Sequence, residues 1–224
     1  AGAFRYAVTG ALHDGKLALP DGQTVPAQLT SFAAPLPDGT MAFVMALPPI
    51  WLEQARGNNR ALLATSVFMH EFTHTQSAAF GRRIDALVKR GLPADVDDDV
   101  IQSRFASRPG FAASFKREQE MLWEAAAAPN VKDARALSKR ALRVIDNRRE
   151  RYFKGADAVY APAEDLFLTL EGTGQYALYR WLTDPQGGGM AKPDALAFAR
   201  RDGKRWSQDQ GLALYLVLDR LWVD

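Results

Sequence analysis

Two histidines and a glutamate stand at the spacing that a metal-binding helix requires. Residues 70–74 read His-Glu-Phe-Thr-His, which is the H-E-x-x-H pattern. On a helix, His70 and His74 project from one face, one turn apart, so two neutral imidazoles can hold one Zn²⁺. Glu71, next to the first histidine, can accept a proton from a water bound to that metal. The whole chain contains three histidines, so chance would rarely place two of them at this spacing around a glutamate. The pattern is therefore specific.

The sequence around the motif predicts a helix. Residues 60–87 contain no proline, and Leu63 and Val67 place apolar side chains at helical spacing. Gly81 is expected to end the helix. The motif is therefore expected in the middle of a helix, where apolar neighbours give the ligands a rigid support.

A third ligand must come from elsewhere in the chain, because a catalytic zinc site uses three protein ligands and leaves one position for water. The three-histidine form of the motif requires Gly and His where this chain has Ser77 and Phe80. The remaining histidine, His13, lies far upstream in a His-Asp-Gly-Lys sequence typical of a turn. A carboxylate is therefore the expected third ligand.

Glu171 is the preferred carboxylate. It follows the apolar run 166–170 within residues 163–183, which are predicted to form a second amphipathic helix. A carboxylate buried there needs a metal, a hydrogen-bond donor or an ion pair, and Arg180 is the alternative partner. Glu164 is the second choice as ligand and is expected to be exposed near the helix start, where its charge suits the helix dipole.

Two glycines follow Glu171 inside the predicted helix, at Gly172 and Gly174. Glycine within a helix costs about 1 kcal/mol relative to alanine, so two of them require a structural reason. Close approach of another helix, such as the one that carries His70 and His74, would supply it.

The HEFTH motif and the later Leu-Glu-Gly-Thr-Gly-Gln-Tyr segment together resemble the gluzincin metallopeptidases. The resemblance implies a zincin-like fold, a zinc cofactor, His70, His74 and Glu171 as ligands, and Glu71 as general base. Residues 170–176 look like the zinc aminopeptidase branch, but Leu stands where that branch has Asn, and its G-x-M-E-N motif is missing. The 96 residues between His74 and Glu171 also exceed the short spacer of the best-known gluzincins. Aminopeptidase specificity is therefore not expected.

The predicted function is hydrolysis of a peptide or protein substrate by a zinc metallopeptidase. Glu71 would take a proton from the activated water and pass it to the leaving amine. A further donor must stabilise the oxyanion. The candidates are the tyrosines near the second helix, for which packing is the alternative role: Tyr152, Tyr160, Tyr176 and Tyr179. Tyr176 lies five residues after Glu171, which turns it about 140° away on a helix.

Two other functions remain open from the sequence: a zincin-like module that is catalytically inactive, and a helical scaffold with a basic docking helix. Residues 111–128 and 131–153 are predicted to form a helical hairpin. The second helix and Lys154 carry nine basic and three acidic residues. A partner of negative charge would suit them, but the apolar residues between them favour an ordinary solvated face.

The first fifty residues differ from the remainder. They contain short apolar runs separated by Pro-Asp-Gly turns, such as residues 37–39, and are predicted to form a small antiparallel sheet. The strand predicted at Met41–Leu47 could hold an extended peptide along its edge or could be an interior strand. The fold class is therefore α+β, mainly α, with one domain over residues 1–224: a β-rich part at 1–50 and a helical part at 51–224.

Two polar segments are assigned to helix starts. The acidic run at residues 95–99 lacks the glycine and terminal glutamate of a calcium-binding EF-hand loop, so it predicts a turn or a helix start. Ser207 and Gln210 have the spacing of a capping box for a last helix at 208–222.

The composition is that of an ordinary globular protein, with 47% hydrophobic and 24% charged residues. A net charge of +2 gives no indication of nucleic-acid binding. The absence of cysteine excludes disulfides and thiolate ligands. No apolar run approaches the length of a membrane span. The start Ala-Gly-Ala-Phe, without Met, favours an exported (periplasmic or secreted) protein. Nothing in the sequence indicates the oligomeric state.

Overall fold

The protein is mainly helical, with a small β part before the helices, as the sequence predicts. The computed structural model describes residues 15–18, 24–26, 31–36, 38, 40–46, 48–54 and 60–222. In chain order the elements are β1 (Lys16–Ala18), β2 (Thr24–Pro26), β3 (Ser31–Pro35), β4 (Met41–Met45), α1 (Pro48–Gln54), α2 (Arg60–His74), α3 (Ala78–Val88), α4 (Val100–Phe105), α5 (Phe111–Ala127), α6 (Val131–Tyr152), α7 (Tyr160–Thr183), α8 (Lys192–Arg200) and α9 (Trp206–Leu221). Two 3₁₀ turns, Gly155–Val159 and Arg201–Gly203, precede α7 and follow α8.

The described strands form two antiparallel pairs, β1 with β2 and β3 with β4. In the second pair Ala33 lies opposite Phe43. Asp38 lies in a turn between these strands, and its carboxylate accepts a hydrogen bond from the backbone N–H of Thr40 at 3.0 Å. The predicted strand from Met41 is β4. His13 lies outside the described residues.

Helix α2 ends at His74, so the prediction that it continues to Gly81 is wrong. The hydroxyls of Thr73 and Thr75 each donate to the carbonyl three residues earlier at 2.7 Å. The backbone N–H groups of residues 75–77 also donate to carbonyls three residues earlier. These bonds tighten the last turn and compete with the helical ladder. The motif therefore occupies the C-terminal turn of α2, and Gly81 lies inside α3.

Helix α7 is the centre of the packing, with α2 and α9 against it. A Cβ atom on Gly172 would lie 2.8 Å from the backbone of Gly211, so α7 and α9 cross where both have glycine. The predicted close approach at Gly172 is confirmed, but the neighbouring helix is α9. Within the described residues, no helix combines the length and the apolar character needed to cross a bilayer.

The predicted helical hairpin is present as α5 and α6, and Asn130 caps α6 by accepting from the N–H of Asp133 at 2.9 Å. Most of the basic residues of α6 are exposed, as expected. Arg148 is the exception, because its fully buried side chain is paired with Glu118 at 2.6 Å and with Glu164 at 2.8 Å. The basic side of α6 therefore includes a cation that is part of the core.

The start of α9 differs from the predicted capping box. Asp99 accepts from the backbone N–H of Trp206 at 3.1 Å and pairs with Arg205 at 3.0 Å. Gln210 instead donates to Glu118 at 3.4 Å. Because Asp99 also directly precedes α4, the acidic run is a helix start, as predicted, and ties the start of α4 to that of α9.

Candidate metal centre

Three predicted ligands meet between α2 and α7. The Nε2 atoms of His70 and His74 lie 3.0 Å apart. Glu171 places one carboxylate oxygen 3.2 Å from His70 Nε2 and the other 3.4 Å from His74 Nε2. All three residues are buried, and the group can hold a metal ion. Packing of α2 against α7 thus brings together ligands that lie far apart in the sequence.

The spacing of these atoms fits a small cation with tetrahedral ligands. Ligand atoms about 2.1 Å from a tetrahedral ion lie about 3.4 Å from one another, close to the separations found here. Hydrogens on both facing Nε2 atoms would bring two donors together, so at most one of the imidazoles carries one there. Two imidazole nitrogens and a carboxylate that converge in a buried space require a proton or a metal ion between them.

The electrostatics of the cluster also favour a cation. Burial opposes ionisation of Glu171, but the hydrogen bonding and charge of the imidazole pair beside it hold the pKa of Glu171 well below the ordinary value. Burial would lower the pKa of His74, yet the hydrogen bond and charge of Glu171, with the charges of Glu71 and Asp98, raise it. The site therefore has a negative potential that a proton or a metal cation would neutralise.

A chain of two amides orients Glu171. Gln208, on the first turns of α9, donates to Glu171 Oε2 at 3.1 Å. Gln175, one turn after Glu171 on α7, donates to the side-chain oxygen of Gln208 at 2.9 Å. Partners of this kind fix the orientation of a ligating carboxylate. Both glutamines were missed from the sequence, although a glutamine one turn from Glu171 in an apolar helix was a usable signal.

Gly174 explains how α2 and α7 come close enough to share the cluster. A Cβ atom there would lie 2.6 Å from His70 Nδ1. The prediction that a glycine after Glu171 admits the helix of the motif is confirmed at this position. The Nδ1 atoms of His70 and His74 are both buried and have no hydrogen-bond partner in the described part of the chain. On its Nδ1 side the ring of His70 is therefore supported by contact with Gly174.

Glu71 lies beside the cluster and is held by a strand. The hydroxyl of Ser31, at the start of β3, donates to Glu71 Oε1 at 3.0 Å, and both side chains are half-buried. Both β3 and β4 pack against α2. β3 therefore contacts Glu71, and the strand predicted at Met41 packs on the same helix as β4. Ser31 could not be found from the sequence, because the contact spans forty residues.

Asp98 adds a further negative charge near the cluster. Burial, the charge of Glu171 and the charge of Asp99 raise the pKa of Asp98 to about 6, while Arg205 acts in the opposite direction. Asp98 is half-buried in the segment before α4. The acidic run at 95–99 predicts a turn or a helix start, and nothing in its pattern indicates that the charge of one of its members acts on Glu171.

Glu164, the second choice as ligand, lies away from the cluster. Its carboxylate pairs with Arg148 at 2.8 Å and with Arg149 at 2.6 Å. It is 2% exposed, so the expectation that it is exposed near the helix start is wrong. Its burial depends on two cations from α6, which sequence spacing cannot reveal. The alternative partner of Glu171, Arg180, instead lies beside Tyr176 and Asp219.

The four candidate tyrosines are used elsewhere. Tyr176 stacks on Tyr215, Tyr179 packs among apolar side chains near α8 and α9, and Tyr160 is buried in the aromatic core around Phe105. Tyr152 donates to the carbonyl of Pro109 at 2.7 Å. None makes a hydrogen bond or ring contact with His70, His74 or Glu171 in the described structure. The packing alternative accounts for the contacts of all four.

Comparison of the chain with protein-family models, with curated proteins and with solved structures finds no match. The buried group of two histidines and one glutamate, with a second glutamate beside it, is therefore characterised by its own geometry alone.

Proposed function

We propose that the protein is a zinc-dependent metallopeptidase of the gluzincin type, with a zincin-like arrangement of β3, α2 and α7. The observation that carries the proposal is the convergence of His70, His74 and Glu171, with Glu71 next to the first ligand. Two imidazoles and one carboxylate leave a fourth tetrahedral position for water, as in catalytic zinc sites.

Zinc is the metal that best matches this donor set. Two neutral imidazoles and a carboxylate in tetrahedral spacing suit Zn²⁺, whereas Mg²⁺ and Ca²⁺ prefer sets made of oxygen. The chain has no cysteine, so thiolate-dependent metals are excluded. When bound, the ion would lower the pKa of its water towards about 7 and polarise the carbonyl of the scissile bond.

The residues around the ligands divide the remaining work. Glu71 accepts a proton at its carboxylate and delivers it to the leaving amine. The hydroxyl of Ser31 restricts the rotation of that carboxylate by donating to Oε1. Gln208 orients the third ligand. The strand β3, adjacent to Glu71, is placed to bind an extended peptide through its backbone.

Metal uptake tests the first half of the proposal. The chelator-treated protein is loaded with Zn²⁺, and the bound zinc is measured by elemental analysis. One equivalent per chain and a higher Tm are expected, because a ligand that binds the folded state stabilises it. An unchanged Tm without bound zinc would contradict the proposal.

Replacement of Glu71 by Gln tests the second half. The variant should bind zinc as the parent does and should cleave a mixture of unstructured peptides at least about 100-fold more slowly, the usual contribution of a general base. Glu150→Gln, at an exposed position of α6, is the matched control and should cleave normally. Zinc uptake without cleavage by the parent would instead indicate an inactive metal-binding module.

A further inference from the structure

The last residue of α8 and the segment that leads to α9 contain three arginines, of which two are anchored. Arg200 pairs with Asp209 at 2.8 Å, and Arg205 pairs with Asp99 at 3.0 Å. Arg201 forms no ion pair or hydrogen bond with any residue of the described ranges. The two paired arginines thus fix the ends of a short segment and leave the guanidinium between them free for another partner.

The backbone of this segment is strained at Arg201. Three consecutive residues have positive φ: Arg201 at 49°, Asp202 at 58° and Gly203 at 65°. The first position after a helix often adopts this conformation, but it is normally glycine or asparagine. A long side chain kept there at a conformational cost is a feature that clusters at functional sites.

The guanidinium of Arg201 lies in the field of the metal cluster. The residue as a whole is exposed, yet burial of its guanidinium and the charge of Arg205 lower its pKa, and the charges of Glu171, Glu71 and Asp98 act to raise it. The segment is also tied to the cluster, because Gln208, a few residues later, donates to Glu171. The same segment is bound at Arg205 and Trp206 to Asp99, the neighbour of Asp98. Arg201 therefore lies near the carboxylates of the cluster, and among the described residues no ion pair joins it to them.

We propose that Arg201 binds a carboxylate of the substrate, so that the substrates are peptides with a free carboxylate close to the scissile bond. This inference rests on the proposed function of the cluster. A guanidinium has a planar set of donors that matches a carboxylate and stays charged in this environment. A divalent cation on His70, His74 and Glu171 and the guanidinium of Arg201 together supply three positive charges. These balance the three negative charges of Glu71, Glu171 and Asp98. The site then has no excess negative charge to repel an anionic substrate.

The test compares binding of N-acetyl-alanylalanine with binding of its C-terminal amide. Calorimetry is performed on zinc-loaded Glu71→Gln protein, which prevents turnover. The acid is expected to bind roughly tenfold or more tightly than the amide, as one hydrogen-bonded ion pair allows. Arg201→Met in the same background should abolish this preference, whereas Lys204→Met should keep it. Lys204 is the matched control, because it belongs to the same segment and its side chain is 77% exposed.

Arg201→Gly separates the binding role from a structural one. Glycine accepts a φ of 49° without strain, so the Tm of this variant should be equal to or above that of the parent. Its preference for the acid should nevertheless be lost. A variant with a lower Tm and an intact preference would show that Arg201 is structural and would overturn the inference.

Other outcomes also decide the matter. Equal binding of acid and amide, or no binding of either at millimolar concentration, overturns the inference. A preference that survives Arg201→Met overturns it as well, because the carboxylate then binds the metal instead. If the protein takes up no zinc, the proposed function fails separately. The same comparison of acid and amide is then made on the metal-free protein, where it decides the role of Arg201 by itself.

Discussion

At the scale of single residues, the candidate centre brings three carboxylates within range of one another's charges. They are Glu71, Glu171 and Asp98, and the charges of all three act to raise the pKa of Arg201. Such crowding of carboxylates destabilises the metal-free fold and is relieved when a cation binds. The ionised form of Asp98 is thus unfavourable in the fold, and a cation bound nearby would reduce that cost.

Asp98, with its raised pKa, makes the stability of the folded protein depend on pH. Its pKa is raised to about 6 in the folded protein, above the value of an unfolded chain. The folded protein therefore holds this proton more tightly, and the resulting stability is present below about pH 4 and lost as the pH rises through about 6. The difference between the folded and unfolded pKa of Asp98 corresponds to about 3 kcal/mol in the free energy of unfolding. Because the side chain is partly exposed, we expect about 1–2 kcal/mol.

We expect Asp98→Asn to stabilise the metal-free protein by about 1–2 kcal/mol near pH 7.5 and to leave it unchanged near pH 4. Urea unfolding in the presence of a chelator measures the free energy of unfolding at both values. The exposed Asp95→Asn is the control and should change neither. An equal effect of Asp98→Asn at the two pH values would show that the cause is not ionisation.

At the scale of the elements, the centre depends on how closely α2 approaches α7. The imidazole of His70 fills the place where a side chain at position 174 would begin, since a Cβ there would lie 2.6 Å from Nδ1 and 2.7 Å from Cε1. Because the Nδ1 atoms lack hydrogen-bond partners in the described structure, this contact is a main determinant of ring orientation.

We expect Gly174→Ala to displace His70 and to weaken zinc binding by about 10- to 100-fold, as losses of ligand support do. The overpacking should also lower the free energy of unfolding by about 1–3 kcal/mol. Gly81→Ala is the matched control, because a Cβ there meets nothing within 4 Å inside α3. It should stabilise the fold by about 0.5–1 kcal/mol. Zinc titration and urea unfolding measure both quantities, and normal zinc affinity in Gly174→Ala would refute the steric role.

The sequence could indicate those parts of the centre whose signal is local. The motif places His70, Glu71 and His74 within five consecutive residues. Glu171 stands out because it follows an apolar run within a predicted helix. Gly172 and Gly174 predict a close approach of another helix, which the structure shows. These features depend on neighbours along the chain, which periodicity and burial cost describe.

The rest depends on contacts that no spacing encodes. Ser31 reaches Glu71 from a strand forty residues earlier, and Gln208 reaches Glu171 from α9. Glu164 was expected in solvent because its two arginine partners are on α6. Helix α2 ends early, at His74, where threonine hydroxyls compete for the helix carbonyls. Sequence spacing does not tell whether such hydroxyls will end a helix, because the outcome depends on packing.

At the scale of the whole molecule, α5, α6 and α7 are joined by a buried ionic cluster apart from the metal centre. Arg148 pairs with Glu118 on α5 and Glu164 on α7. Its guanidinium carbon also lies 5.1, 5.3 and 5.4 Å from the ring centres of three phenylalanines: Phe111, Phe115 and Phe153. One side chain therefore pairs with two buried carboxylates and packs against the aromatic core, which couples three helices through a single residue.

We expect Arg148→Met to destabilise the protein by about 3–5 kcal/mol, because it leaves Glu118 buried without its paired arginine and leaves Glu164 with Arg149 alone. Burial already raises the pKa of Glu118, against the influence of Arg148. Without that arginine the pKa rises further, so the folded variant takes up protons and its deficit is smaller near pH 5 than near pH 8. Urea unfolding at both pH values measures the deficit. Arg143→Met, at an exposed position of the same helix, should stay within about 0.5 kcal/mol of the parent. A deficit independent of pH would mean that Arg148 acts through aromatic packing rather than through charge.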